Sequence, residues 1–293
     1  MKRGRRMKLS IVFTCYNRIE KTRNCILSLQ QSLNSYHEKL ETKFFVCDDA
    51  SNDGTIDMLR ALGNNIEIIV GDGNLFWAKG MAAALDVAEK RTTDFFLMVN
   101  DDVEFYENVI PIMFEKMNSC EKPTVIVGAT QSKDDGSFSY GGHWWNGKAI
   151  GKTITPVPPD TKSDMCNLAN WNCILIPKEI YYTVGQIDRK YEHSFADFDY
   201  SNRVVAAGFE MRVAGKYIGR CDRNFNKNTW RDKELSIQKR ITLLHKPNGF
   251  PPKSSWRYAR KYYGWAAPVL FLQPYFSIVI NAVRKKVLCK RGK

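Results

Sequence analysis

With 293 residues and 44% apolar content, the chain can bury a sizeable core, which excludes a disordered polypeptide. Of the 44 bases, 13 follow Glu234, the last acid, leaving 31 bases against 31 acids before it; the net charge of +13 therefore lies wholly in the tail, and a generally basic nucleic-acid-binding domain is excluded. The eight cysteines include no close Cys-x-x-Cys pair and no histidines at zinc-finger spacing, so reduced, mostly buried thiols are expected rather than a structural zinc site.

The basic N-terminus, MKRGRRMKLS, runs straight into a strand-like segment and lacks the apolar stretch of a secretory signal. No segment reaches the ~20 apolar residues of a spanning helix; the nearest, 268–280, contains Gln273 and Pro274. A cytoplasmic protein is expected. The β-branched run 9–14 predicts a strand, and from Glu20 a helical face of Cys25, Ile26, Leu29 and Leu33 follows. Residues 44–47 predict a second strand, 55–62 a helix with Asp53 as its cap, and 66–70 a third strand. A Met- and Ala-rich helix over 78–90 leads to a fourth strand, 95–99. Strands alternating with helices predict an α/β fold with a mostly parallel sheet, since parallel neighbours need crossovers. In such sheets ligands bind beyond the carboxyl ends of the strands, so the polar clusters 14–18, 48–53, 72–74 and 100–102 are expected to meet at one crevice. Beyond 124 the pattern changes. Strands are expected at 125–129 and 171–176 and a helix at 199–208, separated by some forty residues rich in Gly, Trp, Ser, Pro and Asp that suit an acceptor-side floor.

Three constellations carry chemistry. Asp101 and Asp102, adjacent at a strand end, repel one another unless a cation compensates, and Mn2+ or Mg2+ held by one or two carboxylates plus substrate phosphates is the economical choice. An Asx-turn or helix cap is the plain alternative. Asp197 and Asp199 stand close to a helix that includes Arg203; a carboxylate there can accept a proton from a sugar hydroxyl, or the pair can simply favour the positive end of the helix dipole. Asp48 and Asp49 can accept from a nucleobase or ribose, with a plain turn as rival. The chain lacks both the Gly-x-Gly-x-x-Gly fingerprint and a P-loop, which weighs against a dinucleotide enzyme or an ATPase.

Together, from about residue 9 to 215, these pieces resemble the family 2 glycosyltransferases of GT-A fold. Residues 9–18 (LSIVFTCYNR) look like the family's opening strand and loop, 48–55 (DDASNDGT) like the nucleotide loop, 73–81 (GNLFWAKGM) like the segment beside the diphosphate, and 100–103 (NDDV) like the Asp-x-Asp metal motif. The resemblance implies a Rossmann-like GT-A sheet flanked by helices and an inverting transfer from a UDP- or dTDP-sugar to a saccharide acceptor, in capsule, O-antigen or exopolysaccharide synthesis. It implies Asp102 as metal ligand assisted by Asp101, Asp197 as base, and donor contacts from Thr14, Tyr16, Asn17, Arg18, Asp48, Asp49 and Asn74. Lys79 and Arg203 are expected to offset charge on the diphosphate, and Asn170, Trp171, Asn172 and Asp199 to face the acceptor. His245 lies where some relatives place a late histidine on the metal, with a structural role for a lone histidine as the alternative. The late motif Glu-Asp-x-Asp has Ala196 in place of Glu, which favours the alternative of a saccharide-binding protein without turnover; a nucleotidyltransferase is a second alternative, but its pyrophosphate loop is missing.

The expected organisation is a catalytic domain over 1–234, with a nucleotide-sugar half at about 7–122 and an acceptor half at 123–234, followed by a basic, aromatic helical extension over 235–293. Bases interleaved with Trp256, Tyr258, Tyr262, Tyr263 and Trp265 suit peripheral attachment to an anionic membrane and a lipid-linked saccharide acceptor. Packing on the domain or a homodimer contact is the alternative, and no nucleic-acid partner is expected.

Overall fold

The computed structural model describes residues 6–36, 40–148, 153–159, 161–223 and 226–291, with side chains as far as 284. The first half follows the predicted alternation: β1 (Met7–Cys15), α1 (Ile19–Asn34), β2 (Leu40–Asp48), α2 (Thr55–Ala61), β3 (Ile66–Val70), α3 (Phe76–Ala88) and β4 (Phe95–Val99). These four strands lie parallel in the order β4-β1-β2-β3, as helical crossovers require. The register sets Cys15 against Asp48 and Asp48 against Val70, so the strands end level and their polar loops share one edge. Ile11, Val12, Phe13, Phe44, Phe45, Val46, Phe96, Leu97 and Met98 are fully buried, the continuous apolar runs expected of strands covered on both faces. Gly80 lets α3 sit directly on β1, because a methyl group there would overlap Thr14.

The second half adds β5 (Glu104–Phe105), α4 (Val109–Asn118), β6 (Thr124–Gln131), β7 (Phe138–Tyr140), β8 (Gly142–Trp145), β9 (Ile154–Val157), β10 (Met165–Cys166), β11 (Leu168–Ala169), β12 (Cys173–Pro177), α5 (Lys178–Val184), α6 (Ala196–Ala206) and β13 (Glu210–Arg220). The main sheet runs β10-β13-β6-β12-β4-β1-β2-β3; β12 enters antiparallel between β4 and β6, and β13 lies parallel to β6. The stretch expected to be largely irregular holds a small antiparallel sheet, β11-β8-β9. Helix α6 starts three residues earlier than the periodicity suggests, which places Asp197 and Asp199 in its first turn. Gly54, at φ +88°, occupies the cap position of α2; Asp53 instead accepts from the Thr55 amide (3.1 Å) and from the Ile19 amide at the start of α1 (2.9 Å).

Three further helices complete the chain: α7 (Ile237–Leu244), α8 (Pro252–Tyr263) and, after a short 3-10 turn, α9 (Ala267–Arg291). The helix α9 continues through Pro274, and the stretch Pro252–Arg284 is long and apolar enough to cross a membrane, which the sequence reading did not anticipate. Helix α8 is docked on α6: Tyr258 stacks on Phe195 and accepts from Asn202 (2.9 Å), while Arg257 bridges to Asp188 (2.9 Å). The seven cysteines whose side chains are described are unbridged, and six of them are buried.

Candidate active site

A cleft of ≈ 570 Å³ opens where the strands end. One wall comes from the loops after β1, β2, β3 and β4, through Thr14, Tyr16, Arg18, Asp49, Gly73 and Asn100–Asp102; the other comes from Asn170–Asn172, the turn into α6 and residues 248–250 beyond α7.

The first wall is held by backbone amides. The Asp49 carboxylate accepts from Gly73 (2.9 Å), Leu75 (3.0 Å) and Phe76 (3.1 Å), pinning the loop after β3 against the loop after β2. Gly71 is required for this approach, since a Cβ there would press on Asp49 and Leu75. Asp48 is fully buried and does not line the cleft: Oδ1 accepts from Ser51 (2.7 Å), and Oδ2 has no hydrogen-bond partner. Asn17, at φ +49°, accepts from Asn52 (2.8 Å) and ties the first loop to the second.

Asp101 and Asp102 share one cation. Arg18 Nη1 lies 3.1 Å from Asp101 Oδ1 and 3.3 Å from Asp102 Oδ2, with Arg18 half-exposed at the cleft. Burial raises the Asp101 carboxyl to about 6, with Arg18 holding it back and Asp102 adding to the rise. Asp102 is the more exposed of the pair and also accepts from the Cys221 thiol (3.7 Å). Across the cleft Asp197 accepts from the Phe198 amide (2.9 Å) and at longer range from Asn170 Nδ2 (3.5 Å). With so little compensation, burial lifts its carboxyl from 3.8 to about 6, where a group can take a proton near neutral pH and later release it.

The predicted residues divide accordingly. Thr14, Tyr16, Arg18, Asp49, Asp101, Asp102, Asn170, Trp171, Asn172 and Asp197 meet at the cleft. Asn17, Asp48, Asn74 and Lys79 belong to neighbouring positions but do not line it. Arg203 points away: its guanidinium binds Asp199 (2.9 Å) and the carbonyls of Val184 and Gln186, because an i, i+4 partner lies on the same helix face. Asp199 is fully buried and outside the cleft, held by Arg203, Lys261 (2.7 Å), Tyr262 (2.8 Å) and Tyr191 (3.2 Å). His245 is exposed, meets Tyr275 of α9 (2.9 Å) and does not line the cleft that holds Asp102.

Sequence reasoning missed His193, Trp77 and the 248–250 turn as cleft residues. His193 packs edge-on to Trp77, whose indole N–H donates to Asn100 (2.8 Å). Burial, with Arg18 adding, lowers the His193 imidazole to about 4, so it is neutral at pH 7. Its place four residues before Asp197 is the one signal that could have suggested it. Of the four tryptophans between residues 124 and 234, Trp171 and Trp230 line the cleft; Trp144 lies on a separate shallow groove, and Trp145 packs on Tyr263.

The sequence matches the family described as Glycosyl transferase family 2 over residues 10–174, more than half of the chain, and the protein belongs to that family. Its fold is the GT-A fold, as the likeness to a solved structure shows: mannosyltransferase PcManGT from Pyrobaculum calidifontis, in complex with GDP-Man and Mn2+, aligns over 97% of this chain and 88% of its own at a TM-score of 0.55 and 12% identity. A comparison with curated proteins finds no match.

Proposed function

We propose that the protein is an inverting glycosyltransferase that moves a sugar from a UDP- or dTDP-sugar to a saccharide or lipid-linked saccharide in cell-surface polysaccharide synthesis, at the inner face of the membrane. The observation that carries this reading is the pairing in one cleft of an acidic strand end, Asp101–Asp102, with an under-compensated carboxylate, Asp197. Family membership supports glycosyl transfer, and the nucleotide-sugar complex of the mannosyltransferase supports a nucleoside diphosphate donor.

Asp197 accepts the proton of the attacking hydroxyl, with Asn170 orienting its carboxylate. Asp49 keeps the 73–76 loop in the shape that borders the donor, and Arg18 supplies positive charge beside the acid pair. The residues fit a divalent metal: Asp102 offers a hard-oxygen donor in the cleft, and no group of three or more His, Cys, Asp or Glu able to hold an ion is assembled among the described residues, so phosphate oxygens would complete the set. When bound, Mn2+ or Mg2+ would offset charge on the departing diphosphate. Trp230, half-buried at the cleft, presents ring surface to a sugar, whereas Trp171 is fully buried against Trp77 and Tyr200.

The test is a panel of UDP-, dTDP- and GDP-sugars assayed for binding and hydrolysis with and without Mn2+. One donor is expected to bind with metal and to lose that dependence in Asp102→Ala; no binding by any donor refutes the reading. Retention of anomeric configuration in the product would refute the single displacement.

A further inference from the structure

The C-terminal helices carry a surface that the transfer chemistry does not use. From Trp265 in the 3-10 turn and on along α9, Val269, Leu272, Phe276, Val279 and Val283 follow at intervals of four, three, four, three and four residues, the repeat that gathers side chains on one helix face. All six are exposed, from 41% at Leu272 to 81% at Trp265. The stripe is about 27 Å long at 1.5 Å per residue. A continuous apolar face of this kind on a protein surface calls for a partner.

The opposite face of α9 is occupied by protein. Ala266, Ala267, Pro274 and Ile278 are buried, and the buried Arg240 of α7 reaches the Ile278 carbonyl (3.4 Å). A helix anchored along one side in this way can lie on a bilayer but cannot be surrounded by it. On α8, Lys253, Trp256 and Arg260 are exposed at the i, i+3, i+7 positions of one face. The Trp256 ring meets Phe271 of α9 edge-on with centroids 5.4 Å apart, so the basic face of α8 adjoins α9. Arg284 closes the far end of the stripe, and every charged residue in the sequence beyond it is basic. A second copy docking here would bring two acid-free tails, each with 13 bases beyond Glu234, against one another. An anionic lipid surface complements both the stripe and its charge.

We infer that α9 lies in the plane of an anionic membrane with its Trp265–Val283 stripe immersed among the lipids and the bases of α8 at headgroup level. This deepens the proposed reading of a lipid-linked acceptor, on which it rests only for its consequence. Lys261 and Tyr262 fix α8 to Asp199, and the 248–250 turn that leads into α8 lines the cleft, so docking holds the acceptor wall beside the lipid surface.

The experiment uses the full chain with sucrose-loaded vesicles of phosphatidylcholine, with or without phosphatidylglycerol. Wild type should sediment with the anionic vesicles and partition at least about ten-fold more weakly onto phosphatidylcholine alone, as expected when several bases each contribute about 1 kcal/mol at an anionic surface. Phe276→Glu/Val279→Glu alters exposed residues only; it should lose vesicle binding by at least about ten-fold while donor hydrolysis in solution is unchanged. Phe276→Ser serves as a milder check on folding, with a smaller loss in the same direction. Equal binding by wild type and the double variant overturns the proposal, as does a wild type that ignores vesicles, whether or not it forms a dimer that the variant splits. Resistance of bound wild type to alkaline carbonate extraction would overturn the in-plane placement. None of these failures touches donor hydrolysis, so the transferase reading is judged separately.

Discussion

The two walls of the cleft are built on opposite principles. On the first wall, Asp49 is held by three backbone amides and Asp53 by two, while Asp48 accepts from the Ser51 amide through Oδ1 and leaves Oδ2 without a hydrogen bond. On the second wall, two carboxylates in one helical turn are treated differently. Asp199 is surrounded by two cations and two phenols, drawn partly from α8, whereas Asp197 has one close amide and one long amide contact. The lesson is that α6 is fixed by the saturated carboxylate, leaving the neighbouring one free to hold and release a proton.

Breaking the anchor should have the largest effect. Asp199→Ala removes the partner shared by Arg203, Lys261, Tyr191 and Tyr262, and is expected to cost about 3–5 kcal/mol in urea unfolding, the range for breaking a buried pair. A loss below about 1 kcal/mol would show that α8 does not depend on it.

Asp197→Asn should go the other way. Because the folded-state proton affinity is raised from 3.8 to about 6, the carboxylate adds no penalty below pH 3.8, and the penalty grows as pH rises through about 6 and then levels off. The neutral isostere is therefore expected to be more stable than wild type by on the order of 2–3 kcal/mol above pH 7, with the difference vanishing near pH 4. Thermal unfolding of both proteins across pH checks this; a constant or reversed difference would contradict the assignment. The smallest effects belong to Lys79→Ala and His245→Ala, which sharpen the boundary of the cleft: donor KM and metal dependence should stay within roughly two-fold of wild type. A large change in either would put that residue back at the site.

These differences also explain what could be read in advance. The first wall was legible because each of its loops follows directly from a strand whose apolar run is continuous in sequence, and because parallel strands must end together; the strand 66–70 was placed to the residue. The acid pair stands at a strand end for the same local reason, whereas Asp197, in the first turn of α6, was singled out by the resemblance to the family's late motif. Arg203 and Asp199 were misplaced because their partners, Val184, Gln186, Lys261 and Tyr262, are distant in sequence, and the pairing turns both side chains away from the cleft. His193 and the 248–250 turn were missed because only the docking of the C-terminal helices brings the turn to the cleft, while a lone histidine in a loop is marked by nothing but its four-residue distance from Asp197. The length of α9 was hidden by Gln273 and Pro274, which interrupt the apolar run without ending the helix.

The most direct test of the account is the pH dependence of single-turnover transfer by wild type and Asp197→Asn, once the donor is known from the nucleotide-sugar panel. The account predicts an acid limb in the wild-type rate with an apparent pKa of about 6, and a fall of about 10²–10⁴-fold in Asp197→Asn with donor binding retained. Transfer by Asp197→Asn at a rate near wild type, or a wild-type profile flat through pH 6, would contradict it.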